Sequence, residues 1–240
     1  MARWAAANPD AFAFPALTGQ TGGMCGRMAN TLPPDSVAKL FDAVPANNLP
    51  PVPDFNVCPT QQVAVVTADP GRRLRPMRWG FIPHWYKSPT DGPLLINARS
   101  ETIAEKPAFR AACRERRCLV PVTGFYEWHR TETARLPWFC QRADGAPLVL
   151  AGIWQDWGED HIPTFAIVTT EANEAMARIH HRIPVVIEAR DRGLWLGEEG
   201  KGAALLMHAP DDDVLTMHRV STAVNSNRAE GPQLIEPFED

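Results

Sequence analysis

Nowhere does the chain carry the roughly 18 consecutive apolar residues that a membrane span requires, and no basic segment precedes an apolar stretch at its start. A soluble protein without a membrane partner or a cleaved secretory signal is expected. Cysteines are few: Cys25, Cys58, Cys113, Cys118 and Cys140. Their odd number, in a chain of 240 residues able to build its own core, argues against a disulfide framework and for a reducing, cytoplasmic compartment. There is no CxxC pair and no histidine at finger spacing, so no structural metal is expected. Positive charge is not in excess either. A formal net charge of −4 gives no general attraction to nucleic acid, and any such contact has to come from a local basic patch. No internal repeat of solenoid or propeller length is present, and strands do not alternate with helices as βαβ units do.

What remains is the texture of a globular protein, with 45% hydrophobic and 22% charged residues. Residues 1–23 have no sustained period and read as a disordered extension ahead of the true start, or as a short segment docked by Phe12 and Phe14. Residues 24–240 read as a single domain. Val37, Leu40, Phe41 and Val44 recur at helical spacing after Asp35 and Ser36, which predicts a helix ended by Pro45. Two more helices are expected at about 172–179, with Ala172, Ala175, Met176 and Ile179 on one face, and at about 190–196. β-type runs fall at 63–67, 74–79, 118–128, 138–142, 148–154 and 164–169, with an Asp144-Gly145 turn after the fourth. The fold class is α+β: antiparallel strands curved into a barrel-like core with flanking helices.

Five segments carry residue types suited to chemistry. In Met24-Cys25-Gly26-Arg27, a chain starting at Met24 would lose its initiator and expose an α-amine and a thiol on Cys25. An amine of pKa about 7.7–8.0 is partly neutral near neutral pH and attacks aldehydes, after which the thiol can close a five-membered thiazolidine. With residues 1–23 retained, Cys25 is only a thiol. In Leu95-Ile96-Asn97-Ala98-Arg99-Ser100-Glu101, Asn97 could orient a reacting carbonyl and Arg99 hold a phosphate; equally, Asn97 could cap a turn and Arg99 pair with Glu101. In Gly124-Phe125-Tyr126-Glu127-Trp128, alternation separates Phe125 and Glu127 from Tyr126 and Trp128. Glu127 is then either desolvated among rings, which raises its pKa and suits acid/base work, or on an edge strand facing water. His180 and His181 follow a predicted helix, where one of them can serve a site or merely complement the helix dipole. Finally, Trp79-Gly80-Phe81-Ile82-Pro83-His84-Trp85-Tyr86 is dense in rings. Trp79 and Phe81 suit a core, while Trp85 and Tyr86 suit an exposed stacking platform.

The runs MCGRMAN, FNVCPTQ, MRWGFIPHWYK, LLINARSET, CLVPVTGFYEWH, AIVTTEAN, IHHRIPVVI and VSTAVNS, in this order, closely resemble the SOS response-associated peptidase (SRAP) family. Its members are abasic-site processing proteins that crosslink to base-less sites in single-stranded DNA. The resemblance implies a catalytic Cys25, Asn97, Glu127 and His180, with Arg27, Asn56, Trp85, Tyr86, Arg99, Lys106 and Arg182 contacting the DNA. It also implies no cofactor, single-stranded DNA containing abasic sites as the partner of a monomer, and lyase and self-processing peptidase activity. Residues 1–23 depart from the family pattern and, if retained, block the thiazolidine. Two other readings stay open: an amidohydrolase with Cys25 as nucleophile, and a single-strand binding module without a covalent step.

Overall fold

The computed structural model describes residues 26–68 and 70–238. Its first half contains β1 (Met28–Asn30), α1 (Pro34–Phe41), β2 (Val44–Pro45), β3 (Asp54–Val57), β4 (Gln62–Ala68), β5 (Arg72–Trp79), β6 (Asn97–Arg99) and α2 (Arg110–Glu115). There follow β7 (Arg117–Val122), β8 (Gly124–Arg130), β9 (Arg135–Arg142), β10 (Leu148–Trp157) and β11 (Ile162–Glu171), then α3 (Glu174–Ala177), β12 (Arg182–Pro184), α4 (Arg192–Leu196) and β13 (Leu215–Arg219).

The strands form two sheets. One has the order β13-β9-β8-β1-β3. In the other, β11-β10-β7-β4-β5 run side by side, and β5 then pairs with β11 to close the ring into a barrel. Closure leaves no open edge along that ring. The barrel is not wholly antiparallel as expected. Its closing contact is parallel, Thr164 opposite Arg78 and Phe165 opposite Trp79, and β6 runs parallel to β11 just beyond it.

Period-2 alternation sorts the side chains into three apolar layers. Val63, Val65, Val120, Leu148, Leu150 and Ile167 turn one way and meet Met28, Val57, Phe125 and Cys140 of the five-stranded sheet. Their neighbours Ala64, Val66, Leu119, Val149, Ala151 and Val168 turn the other way, beneath Val37 and Phe41 of α1, Ala112 of α2 and Trp195 of α4. On the far side of the five-stranded sheet, Ala29, Tyr126, Trp128 and Phe139 pack with Val220, Val224 and Leu234 of the C-terminal segment. Cys113, Cys118 and Cys140 are buried small hydrophobes, and Cys58 is half-buried.

Several expected boundaries shift for identifiable reasons. The run at 118–128 is two strands, because the chain crosses from barrel to five-stranded sheet at Thr123, between Val122 and Gly124. At that crossing Gly124 lies so close to β9 that a Cβ there would sit 2.4 Å from the Phe139 ring and 2.5 Å from the Cys140 carbonyl. The first helix stops at Phe41, where Asp42 takes a left-handed conformation, φ 50°, so Val44 lies beyond it and is exposed; within the helix Leu40 is exposed too, and the buried face is Val37, Ala38 and Phe41. The helix expected at 172–179 contracts to Glu174–Ala177, capped by Asn173, whose side chain accepts from the Met176 N–H at 3.0 Å. α2 has no sequence counterpart among the expected elements.

Candidate functional site

Glu127 is the most informative site residue, because it is 3% exposed and lies on β8, with β1 on one side and β9 on the other. That removes the edge-strand alternative. The Trp128 N–H donates to Glu127 Oε1 at 3.0 Å. By alternation the carboxylate shares its face with Phe125, toward the layer between the two sheets, while Tyr126 and Trp128 face the C-terminal segment. The Tyr126 hydroxyl donates to the Phe55 carbonyl at 2.6 Å and the Trp128 indole to Asn225 Oδ1 at 2.6 Å. The rings on that side are therefore fixed at both ends.

β1 brings the chain start to this carboxylate. Met28 lies opposite Phe125 and Ala29 opposite Gly124. Just before β1, the Tyr126 N–H donates to the Arg27 carbonyl at 3.0 Å, which leads the chain start toward Glu127, the next residue along β8. Gly26 adjoins the residue before Asn97: a side-chain carbon added there would meet Ile96 at 3.7 Å. Asn97 is half-buried at the start of β6, in strand geometry opposite Ile167 rather than in a turn. Cys25 lies outside the described residues, and so does the extension.

His180 follows α3, its N–H donating to the Met176 carbonyl at 2.9 Å, and its neighbours Ile179 and Ile183 pack in the same apolar layer as Ile96 and Phe125. The Arg182 N–H donates to His180 Nδ1 at 3.1 Å, so a neutral ring carries its proton on Nε2. Burial depresses the His180 pKa, and the charges of Arg130 and Arg182 add to this. His181 stacks on it with centroids 4.3 Å apart. Burial, His180, Arg182 and Arg99 lower the His181 pKa, and Glu127 opposes them.

The stability consequence has a definite sign. An unfolded chain protonates His180 near pH 6.5 and the folded chain only at lower pH, so the unfolded state holds more protons between those values. Stability is expected to fall as pH drops through about 6.5 and to level off below the folded pKa. Denaturant unfolding of wild type and His180→Asn across that range reads this out. An identical pH slope in both would show that His180 is not responsible.

The other expected residues divide. Arg27 donates to Asn56 Oδ1 at 2.5 Å and to the Val224 carbonyl at 3.0 Å. Asn56 is buried, and its amide also donates to the Ser226 and Ala229 carbonyls at 3.1 and 2.6 Å, so in this arrangement it positions Arg27. Arg99 is exposed. Glu101 pairs not with it but with Arg182, in a fork of 2.6 and 2.8 Å that holds the Glu101 carboxyl down at about 2. Trp79 and Phe81 are core residues, Trp85 is exposed and Tyr86 half-buried. Trp85 borders a cleft of about 640 Å³ with His84, Pro107, Arg110 and Arg116. Among the described residues, no three His, Cys, Asp or Glu side chains are grouped to hold a metal ion.

A family model described as SOS response associated peptidase (SRAP) matches residues 24–227. The chain belongs to the SRAP family. This SRAP protein is 32% identical over 224 residues to the abasic site processing protein YoqW of Bacillus subtilis (strain 168), covering 89% of this chain and 99% of the relative. It is 31% identical over 225 residues to the abasic site processing protein YedK of Escherichia coli (strain K12), covering 89% and 100%. Against the abasic site processing protein HMCES of Xenopus tropicalis, identity is 29% over 259 residues, covering 88% and 77%. A crystal structure of a Bacteroides thetaiotaomicron protein shares the SRAP protein's fold at TM-score 0.78, with 23% identity and coverage of 90% of this chain and all of that one. Arg135 and Asn225, which contact Trp128, and Arg130, opposite Arg135, are not among the expected site residues; extending the runs at 118–128 and 138–142 inward to a short hairpin pairs the two arginines.

Proposed function

We propose that this protein senses abasic sites in single-stranded DNA and shields them by covalent attachment through Cys25, once Cys25 is the first residue of the chain. The relatives named above are abasic site processing proteins, and that activity is the one carried over here. The observation that carries the covalent reading is the buried Glu127 carboxylate, next in β8 to Tyr126, whose N–H bonds the Arg27 carbonyl two residues along the chain from Cys25.

The chemistry balances without an oxidant or a metal. The Cys25 α-amine attacks the aldehyde carbon of the ring-opened sugar, water leaves to give an imine, and the thiol adds its S–H across the C=N bond to close a thiazolidine. Glu127 moves protons during ring opening and loss of water. Asn97 orients the amine and a sugar hydroxyl, and His180, neutral with Nε2 protonated, exchanges a proton near the phosphate on the 3′ side. The imine also permits strand elimination as a lyase side path. The peptidase activity in the family's description is assigned here to removal of the residues ahead of Cys25. The reading treats residues 24–240 as one catalytic domain, acting as a monomer.

The test is to mix protein beginning at Cys25 with a single-stranded oligonucleotide bearing one abasic site and to run a denaturing gel. A shifted, denaturation-resistant band is expected, absent with undamaged strand. Cys25→Ser is expected to lose the stable band while leaving an imine that borohydride traps. Equal crosslinking by Cys25→Ser without reductant would overturn the thiol's role, and no band from wild type would overturn the proposal.

A further inference from the structure

The tip of the β8–β9 hairpin carries an arrangement that folding alone disfavours. Arg130 lies directly opposite Arg135 in the antiparallel ladder, next to the turn in which the Thr131 N–H donates to the Ala134 carbonyl at 3.0 Å. Directly opposed residues have Cβ atoms about 4.5–5.5 Å apart, and like charges at that spacing repel. Among the described residues, neither arginine forms an ion pair, nor does Glu132 in the same turn. Both guanidinium groups belong to exposed residues.

A third guanidinium joins them through Trp128. The Arg135 group lies 5.3 Å from the Trp128 ring centre and that of Arg27 6.0 Å away, within the range of cation–π attraction. Hydrogen bonds from Arg27 to Asn56 and the Val224 carbonyl, and from Trp128 to Asn225, hold this part of the array in place. The array also neighbours the candidate site. Arg130 is among the charges that depress His180, and Arg135, whose pKa is lowered first by burial and then by Arg130 and Arg27, is acted on in the opposite sense by Glu127.

We propose that Arg130 and Arg135, with Arg27, bind phosphodiester groups of the single strand flanking the candidate site. One phosphodiester on each guanidinium group would offset their mutual repulsion, and arginine's planar fork suits phosphate oxygens. The inference rests on reading the protein as one that acts on single-stranded DNA. It supplies the local basic patch that a chain of net charge −4 needs.

The experiment measures binding of the full chain to an undamaged single-stranded oligonucleotide by fluorescence anisotropy across a salt series. Each phosphate contact on a single strand contributes about 0.7 to the slope of log K against log salt. R130Q/R135Q is therefore expected to reduce the magnitude of that slope by about 1.4. Its melting temperature should stay close to that of wild type, since the repulsion removed and the Arg135–Trp128 attraction lost act in opposite directions. R130K/R135K should regain most of the slope. An unchanged slope in a folded R130Q/R135Q protein would overturn the phosphate assignment while leaving the proposed function standing. If the double variant does not fold, Arg130→Gln alone decides, with a decrease of about 0.7 expected. Wild type that fails to bind single strand even at low salt would overturn both.

Discussion

A chain whose first residue is Cys25 is expected to crosslink abasic single-stranded DNA, and the same chain carrying residues 1–24 is expected to give no stable adduct. The difference is in bonding rather than affinity. In the longer chain the Cys25 nitrogen is an amide, with no lone pair available to attack an aldehyde. Its thiol can form only a reversible hemithioacetal, which denaturation releases. The two chains should nevertheless bind undamaged strand similarly, because Arg27, Arg130 and Arg135 are present in both. For the short chain, the adduct should form faster as pH rises toward the α-amine pKa of about 7.7–8.0, since only the neutral amine attacks. Parallel time courses on denaturing gels check both points. A stable adduct of the long chain, shown by mass spectrometry to be uncleaved at its N-terminus, would sink the requirement for a free amine.

The second large effect is expected at Glu127. Replacing Glu127 by Gln keeps the shape and an oxygen to accept the Trp128 N–H, but removes the exchangeable proton. Crosslinking by protein beginning at Cys25 should slow by roughly 10²–10⁴-fold, the usual contribution of a positioned acid or base. Because the carboxylate is buried, its neutral replacement should not lower the melting temperature, which separates this outcome from misfolding. A Glu127→Gln protein that melts like wild type and crosslinks at the wild-type rate would show that the carboxylate moves no proton in the rate-limiting step.

The sequence made some of this legible because the physics is local. Alternation in Phe125-Tyr126-Glu127-Trp128 assigned the correct faces, and Val37 and Phe41 marked the buried side of the first helix. Contacts between distant segments were not legible. No periodicity indicates that Glu101 takes Arg182 rather than Arg99, or that Asn56 is buried under Arg27, since those partners meet only after the sheets assemble. The break at Thr123 was hidden because both strands are apolar and continuous in sequence. Pro121 and Gly124 flank the corner, but the apolar run masks them, and the tight packing of Gly124 against β9 is what marks the change of sheet. Likewise, closure of the barrel by the short parallel pairing of β5 with β11 joins segments far apart in the chain, which no short window can register.

The position of β1 between β8 and β3 has a mechanical consequence. A DNA strand attached at the chain start, as proposed, would pull on the fold through Gly26 and Arg27 into an interior strand bonded on both sides. Tension along β1 loads its hydrogen bonds to both neighbours in shear, together, instead of peeling an edge one bond at a time. Through β8, Thr123 and β7, the same load passes into the closed barrel. A protein anchored in this way resists extraction by a translocating motor through its unfolding rate under force rather than its equilibrium stability, so removal would be expected to begin with proteolysis at an exposed loop or with unfolding from the opposite end of the chain.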